Sequence, residues 1–239
     1  MSREIRKRFA RAIIIDRATP DDGSFIGRVA RHRTEENYRF ASGFVAGKSV
    51  LDIGGGVGIG HDLLLASGAA SILSLDRHVT PPIPTGDARV RFVQDDFLTW
   101  PLPDARFDVL ICLGTLFYLR DPDAALAKMY RLLKPAGTLI INCINQRFVY
   151  RYFGMPLGEI DGKFSTAYDE PGFRAFLKRR FEFEPALYVQ QPVPAFRRPF
   201  GRLGFWLTPL TWPFRRHPVV PVPAGAEGMF LYAVTSKDG

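Results

Sequence analysis

Short apolar runs, each bounded by glycine, proline or polar residues, recur along the first 145 residues of the 239-residue chain. Between these runs lie segments whose apolar residues repeat at helical spacing. Strands alternating with helices are typical of a parallel sheet covered on both faces. The runs predict five strands, at 49–53, 71–75, 89–94, 107–113 and 138–143.

The segments between the runs predict three helices. The first covers 27–45, and the second covers 59–66 and stops at Gly68. The third begins with Asp121 and Pro122, a typical N-cap and first-turn pair, and ends before Gly137.

Beyond residue 145 the alternation weakens. An aromatic-rich stretch at 148–168 predicts a loop, and a helix follows near 171–181. Two further strands are predicted at 183–190 and 229–235. Between them lies an insertion, 192–228, that is rich in proline, arginine and aromatic residues.

Composition indicates one domain. With 46% hydrophobic and 23% charged residues, the chain can bury one sizeable core. We interpret 1–26 as a basic N-terminal arm and 27–239 as the domain. Cys112 and Cys143 lie inside apolar runs, so we expect two buried free thiols in a reducing compartment.

Several features predict a cytoplasmic protein. The apolar run after the basic N-terminus is too short for a signal-peptide core. The uncharged stretch 203–214 is interrupted by Pro209 and Pro213 and falls short of the roughly 20 residues that cross a bilayer.

The formal net charge of +8 leaves several partners open. Nucleic acid, an anionic small molecule and an anionic membrane surface would each suit a basic protein. Alternatively, most of the charges are simply solvated.

The strongest chemical signal is the glycine-rich run that follows the first predicted strand. Such a turn lets the backbone approach a ligand where open parallel sheets bind them. The dinucleotide fingerprint G-x-G-x-x-G fits in no register, and no Gly-Lys-Ser/Thr of a phosphate-binding loop follows. The pattern that fits is D-x-G-x-G-x-G, formed by Asp52, Gly54, Gly56 and Gly58.

On this motif the chain resembles the class I S-adenosylmethionine-dependent methyltransferases, of the methyltransferase type 11-like family. The segments 107–113 and 132–139 resemble the family's fourth strand and the approach to its fifth. The resemblance covers about 38–145. It implies an α/β, Rossmann-like fold, with a mostly parallel seven-stranded sheet, helices on both faces and an antiparallel last strand.

The resemblance also implies that S-adenosylmethionine is the cofactor. The glycine loop, including Gly55, would pass beneath its amino-acid part, and Asp52 would help to bind the ammonium group. Asp76, at the end of the second strand, would accept hydrogen bonds from the ribose. The remaining residues of the implied cofactor site are Arg77, Asp95, Asp96, Phe97 and Leu113. We favour Asp96 with Phe97 over Asp95 as the adenine contact.

Methyl transfer from a sulfonium requires alignment of the acceptor more than covalent catalysis. The four histidines are scattered and suggest no metal site. Many relatives have a histidine a few residues after the fourth strand, where this chain has Tyr118. We interpret Tyr118 either as a catalytic base or as a packing residue. Tyr38 and Arg39 would close over the methionine end of the cofactor. Alternatively, Tyr38 packs in the core.

The aromatic and basic segment 196–218 has three interpretations: an interfacial contact with anionic lipid, a lid over the acceptor pocket, or a homodimer contact. We predict methylation of a small-molecule or lipid-like acceptor, with O-methylation favoured. A nucleic-acid methyltransferase is an alternative, although no Asn-Pro-Pro-Tyr or Asp-Pro-Pro-Tyr motif follows the fourth strand. A non-catalytic ligand-binding module with the same fold is the other alternative.

Overall fold

The fold is seen in a computed structural model that describes residues 3–5, 7, 10, 25–78, 86–160, 166–190, 219–222 and 228–238, with the backbone alone for 25–30. Most of the predicted N-terminal arm and most of the insertion lie outside the described residues. The whole of the segment 196–218 does so as well.

The described chain forms both helices and strands. The helices are α1 Phe25–Ala41, α2 His61–Ala66, α3 Pro122–Leu132, α4 Gln146–Phe153, α5 Leu157–Ile160 and α6 Glu170–Leu177. The strands are β1 Ser49–Ile53, β2 Ser71–Asp76, β3 Val90–Gln94, β4 Phe107–Cys112, β5 Leu133–Asn145, β6 Ala167–Tyr168, β7 Ala186–Gln190, β8 Val219–Pro221 and β9 Phe230–Ser236.

All of these strands form one sheet, in the order β3-β2-β1-β4-β5-β9-β7-β8, with β6 paired to β5. The pairings among β1 to β5 are parallel, whereas β9 runs antiparallel to both β5 and β7. The predicted Rossmann-like, mostly parallel sheet with an antiparallel last strand is confirmed. Two short strands, β6 and β8, add to the seven predicted, and β8 lies within the predicted insertion.

The sheet has an apolar core on each face, because successive side chains of a strand point to opposite faces. In β4, Leu110 and Cys112 pack on the side of α3 and α6, while Val109 and Ile111 pack on the side of α1 and α4. Both predicted free cysteines are buried thiols. In the described part of the chain, no helix is long and apolar enough to span a bilayer.

The predicted loop at 148–168 was wrong, because most of its described part is helical. Asn145 caps α4 by accepting a hydrogen bond from the backbone N–H of Arg147, and Gly154 ends the helix at a φ of +70°. The helix buries Phe148, Val149 and Phe153 on the side that faces the core.

Several other predicted boundaries shift, two of them for reasons that the structure shows directly. β5 begins at Leu133, five residues early, because Leu133 already pairs with Phe107 before the register shifts to the pair Val109 and Thr138. The intervening residues include Ala136 at a φ of +58°. α2 begins at His61 rather than at residue 59, because the glycine turn continues through Gly60. The cap of α3 is as predicted: Asp121 accepts from the N–H of Ala124.

Candidate functional site

Four loops that contain the predicted cofactor residues meet at one edge of the sheet. Each follows the carboxyl end of a parallel strand, β1 to β4, and these ends lie side by side because the strands are in register. Open parallel sheets bind their ligands at this edge. The tertiary structure therefore brings together residues that are distant in sequence, such as Asp52 and Tyr118, which are 66 positions apart.

Two different structural requirements explain the glycines of the first loop: lack of space for a side chain, and a left-handed backbone conformation. A Cβ on Gly55 would collide with the side chains of Ser74 and Asp52, and one on Gly60 would collide with the Tyr38 ring. Gly56 instead has a φ of +59°, and no described atom lies within 4 Å of its Cβ position. The loop thus packs tightly on the protein side and presents its backbone to open space at Gly56.

Asp52 lies beneath this loop and is fully buried. The Tyr38 hydroxyl donates to Oδ2 of Asp52 over 2.7 Å, and Nε2 of His61 lies 3.5 Å from the same oxygen. Burial, followed by the charge of Asp52, raises the pKa of Tyr38 well above its ordinary value, so the phenol stays protonated and donates. Oδ1 of Asp52 accepts no hydrogen bond from any described residue.

Asp76 connects the first two loops. Its Oδ2 accepts the backbone N–H of Gly56 over 3.0 Å, and its Oδ1 accepts that of His78 over 2.9 Å. A carboxylate offers about four lone-pair positions, so both oxygens keep acceptor capacity. The carboxylate is partly exposed at the edge of the sheet, as a ribose-binding role requires.

The loop after β3 is fixed to its neighbours by two further contacts. The backbone N–H of Asp95 donates to the carbonyl of Asp76 over 3.2 Å. The guanidinium of Arg77 lies 3.3 Å from Oδ2 of Asp96. Asp96 also accepts the N–H of Leu98 over 2.9 Å and so caps the turn. Arg77 is therefore placed to hold the side chain of Asp96 in position.

Phe97 does not project from the loop, because its ring is buried in the core on the α3 side. Lys128 of α3 lies beneath it, with Nζ donating to the carbonyl oxygens of Phe97, Leu98 and Trp100. Burial lowers the pKa of Lys128, and nearby Arg131 adds to this, while Asp96 and Asp95 oppose it. An adenine contact by the Phe97 ring stays a prediction.

The loop after β4 closes the other side of the site. Leu113 is buried, and the N–H of Gly114 donates to Oδ1 of Asn142 over 2.7 Å. Tyr118 follows on a 3₁₀ turn, half-buried, with its ring centroid 4.4 Å from that of Phe117. Packing of Tyr118 is thus observed, whereas its role as a base stays a prediction.

Two residues that position this site were missed in the sequence, Lys128 and Asn142. Asn142 gave a signal, since it is an amide inside the otherwise apolar run of β5. Lys128 gave none, because a lysine on a surface helix is normally solvated. Arg39 pairs with Glu36 over 2.8 Å and stays partly exposed.

The residues at this edge suit S-adenosylmethionine. The open backbone at Gly56 allows close approach, Asp76 has free acceptor capacity for hydroxyl groups, and the buried oxygen Oδ1 of Asp52 lacks a donor among the described residues. The described residues include no group of three or more His, Cys, Asp or Glu side chains suited to a metal ion.

Comparison with known proteins agrees with this geometry. Residues 51–141 match the methyltransferase domain family, a span that runs from the middle of β1 into β5. The match contains all four loops of the candidate site.

Among curated proteins, the chain is 38% identical over 114 residues to a ubiquinone/menaquinone biosynthesis C-methyltransferase of Hahella chejuensis, covering 42% of this chain and 44% of the relative. It is 31% identical over 110 residues to a ubiquinone biosynthesis O-methyltransferase of Pseudomonas entomophila, covering 43% and 47%. The match thus spans less than half the length of these relatives.

Solved structures share the fold over most of the chain. The 1,6-didemethyltoxoflavin-N1-methyltransferase of Burkholderia thailandensis, solved with S-adenosylhomocysteine, has a TM-score of 0.57 at 18% identity, covering 98% of this chain and 88% of its own. A methyltransferase described as a possible histamine N-methyltransferase, from Thermotoga maritima, has a TM-score of 0.62 at 17% identity, covering 88% and 92%.

Fold, candidate site and family match agree with one another. Residues 51–141 are similar to the methyltransferase domain family, and the sheet has the Rossmann-like fold of solved S-adenosylmethionine-dependent methyltransferases.

Proposed function

We propose that the protein transfers a methyl group from S-adenosylmethionine to a small-molecule or lipid-like acceptor. The observation that supports this most directly is the convergence of the Asp52–Gly60 loop, Asp76 and Asp96 at the carboxyl edge of a methyltransferase-family sheet. When bound there, the cofactor supplies an electrophilic methyl group on a sulfonium.

The residues of this chain would act by binding and orientation. Asp76 would accept hydrogen bonds from the ribose hydroxyls, while Gly56 gives the cofactor access to the backbone. Asp52 would attract the ammonium end, held in place by Tyr38. Asp96 and the loop that it caps would receive the adenine. Alignment of this kind can account for a large part of the barrier of a bimolecular displacement.

The acceptor would bind beside Tyr118, between the loop after β4 and α1. We favour oxygen as the acceptor atom, and Tyr118 would then either take the proton or shape the pocket. Two curated relatives have names from ubiquinone biosynthesis, one a C- and one an O-methyltransferase. Phenols and related ring compounds are therefore the first acceptors to test.

Titration calorimetry with S-adenosylmethionine and S-adenosylhomocysteine tests the cofactor site. We expect both to bind the wild-type chain, and Asp76→Ala to weaken both at least tenfold because the ribose loses its acceptor. Asp87→Ala is the matched control. Asp87 pairs with Arg89 just before the amino end of β3, so this substitution should leave the affinity unchanged. Failure of the wild type to bind either compound would favour a non-catalytic module.

A methyl-transfer screen over phenols, carboxylic acids, sugars, polyketides and lipids then identifies the acceptor. We expect a methylated product that forms with the wild type and is absent with Asp76→Ala. Transfer to oligonucleotides instead, with none to small molecules, would support the nucleic-acid alternative.

A further inference from the structure

Lys128 is an unusual residue for the middle of an amphipathic helix. Only 9% of it is exposed, although α3 has solvent on its outer side. A buried lysine is costly unless its ammonium group is paired or hydrogen-bonded. Its partners are not carboxylates, but three backbone carbonyl groups of a single loop.

The number of partners matches the chemistry of an ammonium group. Nζ lies 2.5 Å from the carbonyl oxygen of Phe97, 3.3 Å from that of Leu98 and 2.5 Å from that of Trp100. A protonated lysine has three N–H donors and no acceptor, so each carbonyl can receive one donor. The same ammonium lies 5.1 Å from the centroid of the Phe97 ring, within the range of a cation–π contact.

The opposite side of this loop belongs to the candidate cofactor site. Asp96 accepts the N–H groups of Leu98, Thr99 and Trp100, the first with its side chain and the other two with its carbonyl. Its other carboxylate oxygen faces Arg77. The loop is thus held from the cofactor side by Asp96 and from the helix side by Lys128.

We propose that Lys128 is a positioning residue of the nucleoside pocket, which fixes the 95–100 loop from beneath through three backbone carbonyl groups. This inference rests on the proposed function, because it assumes that the loop receives the adenine of the cofactor. Lys128 does not touch the cofactor. It acts through the backbone, so its effect falls on nucleoside affinity and on the rigidity of the loop.

Lys128→Met tests the inference, because methionine keeps an unbranched apolar chain of similar length and removes all three donors. Lys134→Met is the matched control: the same change at a lysine that pairs with Asp108 at the amino end of β4, away from the site. Two quantities are measured: hydrogen exchange of the amides of Leu98, Thr99 and Trp100 without cofactor, and the Kd for S-adenosylmethionine and 5′-methylthioadenosine.

We expect Lys128→Met to speed exchange of these amides at least tenfold and to raise both Kd values about tenfold, by a similar factor because the two compounds share the nucleoside. Lys134→Met should change both quantities less than twofold. If Lys128→Met does not fold, Lys128→Gln, which keeps two donors, should shift both quantities in the same direction by a smaller factor.

Unchanged exchange in the Lys128 variant would overturn the inference. Faster exchange with unchanged Kd values would also overturn it, since the loop would then be no part of the nucleoside pocket. A wild-type chain that binds neither compound would contradict the proposed function and the nucleoside part of this inference, and exchange would still report whether Lys128 holds the loop.

Discussion

At the scale of single residues, the candidate site depends on buried polar groups whose partners come from distant parts of the chain. Asp52 is the main case, because an unpaired carboxylate in the core would cost several kcal/mol. Its described partners are the Tyr38 hydroxyl from α1 and, at a longer distance, His61 from α2. The resemblance implied only the role of Asp52 toward the cofactor, whereas the structure adds a role in joining α1 to the glycine loop.

This contact predicts the effect of Tyr38→Phe. The substitution keeps the ring that packs over Gly60 and removes the hydroxyl that donates to Asp52. We expect a loss of about 1.5–3 kcal/mol in the free energy of unfolding, the range for hydrogen bonds to charged groups. Urea unfolding at pH 7 measures it.

Tyr150→Phe is the matched control, since Tyr150 is 53% exposed on α4. If the two variants lose the same small amount, the bond between Tyr38 and Asp52 does not contribute to stability.

At the scale of elements, the amino ends of three strands are joined by one carboxylate. Asp108 of β4 accepts from both the backbone N–H and the hydroxyl of Ser49 in β1, at 2.9 and 2.5 Å. Lys134 of β5 lies 2.9 Å away. Partial burial alone would raise the pKa of Asp108, but these hydrogen bonds and the charge of Lys134 outweigh it and lower the pKa from 3.8 to about 2.

The direction of this shift predicts how stability depends on pH. Because the pKa is lower in the folded state, the stabilisation is present above pH 4 and is lost as the pH falls from about 4 toward 2. We expect Asp108→Asn to cost about 1 kcal/mol at pH 7, a reduced figure because the carboxylate is one-third exposed.

Urea midpoints between pH 7 and pH 3 measure this effect. The difference between Asp108→Asn and wild type should shrink as the pH falls below 4. Asp104→Asn, at an exposed position 3.8 Å from Arg131, should show little difference at any pH. A penalty for Asp108→Asn that stays constant down to pH 3 would mean that its charge is not the cause.

At the scale of the whole molecule, the net charge of +8 and the aromatic, arginine-rich segment 196–218 suggest a contact beyond the cofactor site. That segment lies outside the described residues, and its role stays a prediction from sequence. Lipid contact, a lid and a dimer contact would each use Trp206 and Trp212 in a different way.

The double variant Trp206→Ala, Trp212→Ala is expected to lose acceptor turnover or binding to vesicles of anionic phospholipid by at least tenfold. Its affinity for S-adenosylmethionine should match the wild type, because the proposed cofactor residues belong to other loops. Vesicle sedimentation, turnover and calorimetry measure the three quantities, with Tyr150→Ala as an exposed aromatic control. Loss of cofactor affinity would contradict a separate lid or membrane contact.

Much of the fold could be predicted because local signals and tertiary structure agree there. The buried strands β1, β2 and β4 are apolar runs with clear ends, and the cap at Asp121 depends on neighbours in sequence. The stretch at 148–168 could not be predicted in this way. This stretch is rich in aromatic residues, and which of them the helix buries depends on the surface against which it packs.

The main strands, the glycine turn after β1 and the acidic residues that end β2 and follow β3 are predictable from the amino-acid sequence alone, because each depends on residue types at short separation. Three contacts are visible only in the assembled fold: Tyr38 bonds to Asp52, Asn142 holds the loop after β4, and Lys128 lies beneath the loop after β3. These contacts join residues from 14 to 31 positions apart. Whether such a polar group is solvated or paired depends on which surface its helix or strand buries, and that is a property of the assembled sheet.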